Sequence, residues 1–179
     1  MALAAHAADI KTAEPLGILA QKAWGPFWRM AYLSVEISDS EDMIHYCCRL
    51  AEYPAETAAR EKRGVLTEAA EQIRRMHDRG IHHADLHLKN LLLRRLEVGT
   101  PEVFVIDFDK ATLGPELDVN QRLNNLKRLA RSVRKVRVAD EVLTAWDRLR
   151  FLRAYLKGHP QSRELLRQWA RKLARSGSA

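Results

Sequence analysis

Apolar residues recur at Leu66, Ala69, Ala70, Ile73 and Met76, the three- and four-residue spacing that lines one face of an α-helix. The window closes on Gly80, a residue suited to a left-handed C-terminal cap, so the pattern predicts a helix over residues 66–79. Beyond it the rhythm changes. Leu91-Leu92-Leu93-Arg94 and Val103-Phe104-Val105-Ile106 are apolar runs of strand length, and the intervening Glu97-Val98-Gly99-Thr100-Pro101 is rich in turn formers. Together they predict a β-hairpin. Helical spacing then returns at Leu123, Leu126, Leu129, Ala130 and Val133, and the C-terminal third reads as helices at about 118–136, 139–156 and 162–174. Gly158-His159-Pro160 is the clearest break among them.

Between the helix and the hairpin lies His82-His83-Ala84-Asp85-Leu86-His87-Leu88-Lys89-Asn90, and the hairpin's second run leads into Asp107-Phe108-Asp109. A phosphoryl-transfer site of the kinase type needs an Asp to accept the proton of the attacking hydroxyl. It also needs an Asn five residues later and a further Asp to hold the magnesium ions that bridge the nucleotide phosphates. Asp85, Asn90 and Asp107 have those types and that order. The hairpin would bring Asp107 back toward the loop carrying the other two.

These residues resemble the protein-kinase-like fold and, within it, the lipopolysaccharide core-sugar kinases that act on Kdo or heptose. The resemblance rests on His83-Ala84-Asp85 with Asn90, on Ile106-Asp107-Phe108-Asp109-Lys110-Ala111, and on Asn124-Asn125-Leu126-Lys127-Arg128-Leu129-Ala130-Arg131-Ser132. It implies an α+β chain, mostly the helical C-terminal lobe with a partial N-terminal sheet. It also implies ATP and Mg2+, with Asp85 as catalytic base, Asn90 and Asp107 as metal ligands, and His83 as the brace of the catalytic loop. Asp109 stands where most protein kinases carry glycine, a replacement common in this family and in the aminoglycoside and choline kinases.

The resemblance continues upstream. Ile10-Lys11-Thr12-Ala13-Glu14-Pro15-Leu16-Gly17 is similar to the segment after the family's αC helix, and Arg29-Met30-Ala31-Tyr32-Leu33-Ser34-Val35-Glu36 to the strand leading to the interlobe hinge. It places Met1 late in the αC helix, residues 1–45 as a remnant of the N-terminal lobe and hinge, and residues 46–179 as the C-terminal lobe. The glycine-rich loop, the strand lysine and its helix glutamate have no counterpart, and Lys11 and Lys22 fall on the wrong side of that helix to replace the lysine. The expectation is weak Mg-ATP binding and slow or absent phosphate transfer by the 179-residue chain.

The same residues could serve other chemistry. His82, His83, Asp85 and His87 could suggest zinc, but match neither the His-x-His-x-Asp-His spacing of metallo-β-lactamases nor the His-Glu-x-x-His of zincins. His82 reads as structural or exposed, and His87 as orienting the loop. Asp109 either touches a second metal or caps the next segment. Cys47 and Cys48 are adjacent and lack zinc-ligand or redox spacing, as expected of reduced thiols in a cytoplasmic protein.

Charge divides the chain. Residues 1–120 hold 14 Lys+Arg against 19 Asp+Glu, whereas residues 121–179 hold 16 against 4. A basic helical unit of this kind is either solvated surface or a means of holding an enzyme at an anionic membrane, at about 1 kcal/mol for each Lys or Arg near the leaflet. Nucleic acid is argued against, because no recognition motif and few aromatics accompany the charge. No apolar run reaches the ~20 residues of a membrane span, and the first residues lack the pattern of a secretory signal. The expected function is ATP-dependent phosphorylation of a sugar hydroxyl in the lipopolysaccharide core or a related glycolipid, in the cytoplasm or peripheral at the inner face of the membrane. The alternatives are a small-molecule kinase of the aminoglycoside or choline type and a non-catalytic scaffold.

Overall fold

The computed structural model describes residues 1–96 and 100–175. A short helix α1 (Ala2–Ala7) leads into a two-stranded antiparallel ribbon, β1 (Pro15–Lys22) and β2 (Trp28–Ser34), paired from Pro15↔Ser34 to Lys22↔Trp28. Strand β3 (Ser40–Asp42) follows and runs directly into α2 (Met43–Ala51), whose first turn is capped by the Asp42 carboxylate accepting from the N–H groups of Ile44 and His45. Met43, Tyr46, Cys47 and Leu50 recur along one face of α2 and are all buried. Cys47 and the exposed Cys48 are free thiols. The boundary expected at residue 45 falls inside this helix.

Helix α3 (Ala55–Asp78) is the central support, and it buries Val65, Leu66, Ala69, Ala70, Ile73 and Met76 as the apolar spacing predicts. It starts eleven residues earlier than expected. The inward positions of that first half are Ala58 and Lys62 rather than large apolar residues, so the hydrophobic pattern fades while the helix continues. Lys62 is buried because its Nζ donates to the Asp147 carboxylate at 2.6 Å and to the Val142 carbonyl at 2.8 Å. Burying a charge requires that kind of pairing.

Gly80 then turns the chain with φ +73°. A Cβ there would lie 2.1 Å from the Gly114 carbonyl oxygen, so glycine is required by conformation and by space. Strand β4 (Ile81–His82) follows, then a 3₁₀ turn at Leu88–Asn90 and the expected hairpin, β5 (Leu91–Arg94) with β6 (Glu102–Val105). Leu91 pairs with Val105 and Leu93 with Val103, and β3 completes a sheet of order β3-β5-β6. Of the expected turn, residues 97–99 lie outside the described residues. The sheet packs on α3, and Lys11 ties the upstream segment to both: its N–H bonds Gln72 Oε1 and its carbonyl accepts the Val105 N–H. Strand β7 (Thr112–Leu113) pairs with β4.

The C-terminal helices are α4 (Val119–Lys135), α5 (Arg137–Val142), α6 (Ala145–Tyr155) and α7 (Ser162–Arg175). The single helix expected over 139–156 is therefore two. Thr144 and Asp147 form a reciprocal capping box that begins α6, and Asp147 also serves Lys62, so the chain restarts instead of continuing through Leu143.

Candidate functional site

The loop carrying the expected acids is held from inside by His83. This buried ring donates from Nε2 to the Ile106 carbonyl at 3.0 Å and accepts the Asp85 N–H at Nδ1 at 3.2 Å, which assigns a neutral tautomer. Burial keeps its pKa below the ordinary value, opposed by the Ile106 carbonyl and by the nearby carboxylates of Asp107 and Asp85. Its ring also packs against Phe108 at 5.2 Å. One imidazole thus joins the backbone at Asp85 to the backbone just before Asp107.

Asn90 makes the second tie. Its Nδ2 donates to the Asp85 carbonyl at 2.9 Å, and its own carbonyl accepts the Ile106 N–H at 3.0 Å. The side-chain Oδ1 accepts no hydrogen bond among the described residues. Asp107 leaves β6 in the left-handed region, φ +63°, which Asp tolerates better than most residues. Its carboxylate is exposed and makes no ion pair among the described residues. The buried Asn90 amide oxygen and the exposed Asp107 carboxylate are the hard donors a magnesium ion takes alongside phosphate oxygens and water. Among the described residues no group of three or more His, Cys, Asp or Glu side chains could hold a metal ion.

His87 lies with Nε2 3.8 Å from the Asp85 carboxylate, and its carbonyl accepts the Asn90 N–H, closing the 3₁₀ turn. His82 accepts from Asn125 Nδ2 at 2.8 Å and is a structural residue. Asp109 is exposed, and its side chain makes no described hydrogen bond to the segment that follows, which leaves the capping alternative without a bond behind it. It faces β2: the Tyr32 hydroxyl is pushed up by burial and, to a smaller extent, by the Asp109 charge.

Two cavities flank the loop. A cleft of about 870 Å³ lies between the β1-β2 ribbon and Asp107-Phe108-Asp109, with Ile18, Tyr32 and Leu92 in its walls. A smaller cavity of about 430 Å³ is lined by Asp85, His87 and the facing side of α4. A third, apolar cavity of about 330 Å³ between α4 and α6 is lined by neither Asp85 nor Asp107.

The sequence reading assigned no role to three residues that hold the loop. Asn125 Oδ1 accepts both the His83 N–H at 3.1 Å and the His77 Nε2–H at 3.2 Å. His77 in turn accepts the Tyr155 hydroxyl at 2.6 Å, and burial pushes its pKa down to about 3. Ser132 Oγ accepts the Leu88 N–H at 3.2 Å, and Arg128 lies 3.7 Å from the Asp85 carboxylate. Asn125 had a legible signal, a polar residue on the inward stripe beside Leu126 and Leu129. Ser132 and Arg128 lie in the stretch at 124–132 that carries the resemblance, but no local pattern marks their contacts, since both sit among residues that also suit open surface.

The fold as a whole is similar to that of a solved structure described as WaaP in complex with acyl carrier protein. The TM-score is 0.68 at 22% identity, covering 96% of this chain and 73% of that chain. The model of the lipopolysaccharide kinase (Kdo/WaaP) family matches residues 3–155, and the chain belongs to that family. Among curated relatives, the 3-deoxy-D-manno-octulosonic acid kinase of Vibrio cholerae serotype O1 is 30% identical over 128 residues, 72% of this chain and 48% of the relative. The kinase of the same name from Vibrio vulnificus (strain YJ016) is 29% identical over 131 residues, 73% of this chain and 49% of the relative. The chain spans about half the length of these curated relatives.

Proposed function

We propose that this protein transfers the γ-phosphoryl group of ATP to a sugar hydroxyl of the lipopolysaccharide core or a related glycolipid. The observation that supports this most directly is the pair of Asn90 bonds. One runs to the Asp85 carbonyl and the other to the Ile106 N–H, which makes a single frame of the residues expected to act together. In this reading the acceptor oxygen attacks the γ-phosphorus, the bond to the β-phosphate oxygen breaks, ADP leaves, and the hydroxyl proton passes to Asp85. Asn90 and Asp107 would hold a magnesium ion, which when bound would neutralise phosphate charge. Asp109 is placed to assist a second ion, His83 positions Asp85, and the cleft beside Asp107 takes the nucleotide. Residues 1–45 and 46–179 would be the parts of two lobes.

The acceptor to test first is 3-deoxy-D-manno-octulosonic acid, the sugar acid in the names of the relatives. Peripheral contact with an anionic leaflet belongs to the same reading. Arg163, Arg167 and Arg171 form an exposed row on α7, and among the described residues no helix is long and apolar enough to cross a membrane.

The test is radiolabelled phosphate transfer from ATP to purified core glycolipid, with soluble aminoglycosides and choline as competing acceptors and Asp85→Ala as control. Label in the glycolipid that depends on Asp85 supports the reading. Label that persists without Asp85, or that appears on the soluble acceptors alone, overturns it.

A further inference from the structure

We propose that α4 and the Asp85 loop form an anion subsite, which grips a fixed negative charge on the acceptor sugar, carboxylate or phosphate, beside the hydroxyl presented to Asp85. The proposal rests on the kinase reading and adds to it the feature of the acceptor that is recognised and the side chains that do so.

Helical geometry comes first. Arg128, Arg131, Ser132 and Lys135 stand at i, i+3, i+4 and i+7, so they share one face of α4. That face is turned to the loop, because Ser132 Oγ holds the Leu88 N–H. The cavity between them, about 430 Å³, is of a size that suits one sugar ring, and its charged lining is Asp85 against Lys89, Arg128, Arg131 and Lys135, with His87 beside them.

Asp85 offsets only part of the positive charge there. Two other cations of α4 are committed elsewhere: Arg122 to Asp78 at 2.6 Å and Glu116 at 2.8 Å, and Arg134 to the Leu173 carbonyl. Among the described residues, Lys89, Arg131 and Lys135 have no ion-pair partner, and Arg128 reaches Asp85 at 3.7 Å, too long for a hydrogen bond. Like charges three and four residues apart on a helix repel one another, and an arriving anion relieves the repulsion. Guanidinium groups suit this task because their forked donors match carboxylate and phosphate oxygens.

Position ties the subsite to the acceptor and not the nucleotide. The basic cavity contains Asp85 and shares no lining residue with the cleft that contains Asp107 and Asp109. An anion held by Arg131 and Lys135 would therefore share a cavity with Asp85 and not with Asp107. The basic stripe of α4, which the sequence offers as solvated surface or membrane contact, is in this part the exposed wall of a cavity that also contains Asp85.

The experiment is a titration of the ¹⁵N-labelled protein, followed through the arginine Nε–H resonances. The probes are the methyl glycoside of 3-deoxy-D-manno-octulosonic acid, its carboxyl methyl ester, and inorganic phosphate. The acid is expected to shift Arg128 and Arg131, the ester to bind at least about tenfold more weakly, and Arg131→Gln with Lys135→Gln to weaken the acid by about tenfold or more. Arg131→Lys should restore part of the loss. Binding of phosphate but not of the acid assigns the subsite to a phosphate-bearing acceptor. Equal binding of acid and ester, indifference to the double variant, or no binding of either anion overturns the proposal. A parallel Mg-ATP titration of the parent protein separates the two ideas: nucleotide binding without anion binding removes the subsite and leaves the kinase reading, and the reverse removes the kinase reading.

Discussion

Asn90 donates its side-chain amide to the Asp85 carbonyl at 2.9 Å, so the first and last residues of the candidate loop are fastened to each other inside the chain. Asn90→Ala removes that bond and the amide oxygen expected to meet the cation. A buried hydrogen bond is worth about 1 kcal/mol, which in a domain of this size lowers the melting temperature by about 2–4 °C. Mg-ATP binding should fall much further, by tenfold or more at about 1.4 kcal/mol per decade. Differential scanning calorimetry and isothermal titration read the two effects separately; a variant with lower stability and unchanged nucleotide affinity would make Asn90 purely a loop fastener.

His77 and His83 are both held neutral by burial, with His77 pushed down to about 3. In the unfolded chain each titrates near about 6.5, so the unfolded state binds more protons between that pH and the folded value. The stability contributed by neutral imidazoles is complete above pH ~6.5 and is lost as pH falls, by up to about 1.4 kcal/mol per pH unit for each ring. Asp42, Asp147 and Glu102, whose folded pKa values are lowered, lose their contribution only below about pH 4–4.5, leaving the window from pH 6.5 to 5 to the histidines. Urea unfolding at pH 7.5, 6.5, 5.8 and 5.0, values chosen to span about the free imidazole pKa, should give a flat step followed by a decline. His77→Gln should make that decline shallower, and a stability that does not change across the window would contradict the neutral assignment.

Gly80→Ala should be among the most damaging single changes in the chain. The added Cβ would meet the Gly114 carbonyl oxygen at 2.1 Å and the Pro115 carbonyl oxygen at 2.7 Å, both backbone atoms, at a φ of +73°. We expect a loss of about 3 kcal/mol or more, larger than the about 1 kcal/mol that left-handed conformation alone costs alanine. Because Gly80 leads directly into β4 and the His83 loop, Mg-ATP binding should weaken too. Denaturant titration decides it: a midpoint unchanged from the parent would show that the backbone packed against Gly80 yields easily.

The helix under the site, the hairpin and the order of Asp85, Asn90 and Asp107 were legible because each leaves a local trace, a 3.6-residue period, paired apolar runs and a five-residue spacing. The first half of α3 and the break at Thr144 were not read, for one shared reason. Lys62 and Asp147 form a buried pair 85 residues apart in sequence, so each looks locally like a surface charge. The same holds at the site. Asn125 gathers His77, His82 and His83, and Arg128 meets Asp85, through contacts across 42 to 48 positions that no local pattern records.

If Asp107 serves the nucleotide's metal and Asp85 the acceptor, calorimetric titration of Mg-ATP into the parent, Asp107→Asn and Asp85→Asn proteins separates the two roles. Asn accepts the left-handed conformation at position 107 much as Asp does, so the first substitution removes charge and little else. The parent should bind ATP in a Mg-dependent way, Asp107→Asn should lose that binding, Asp85→Asn should keep it, and far-UV circular dichroism should be unchanged in all three. Equal binding by parent and Asp107→Asn, or a loss in Asp85→Asn as large as that in Asp107→Asn, would contradict this division of roles.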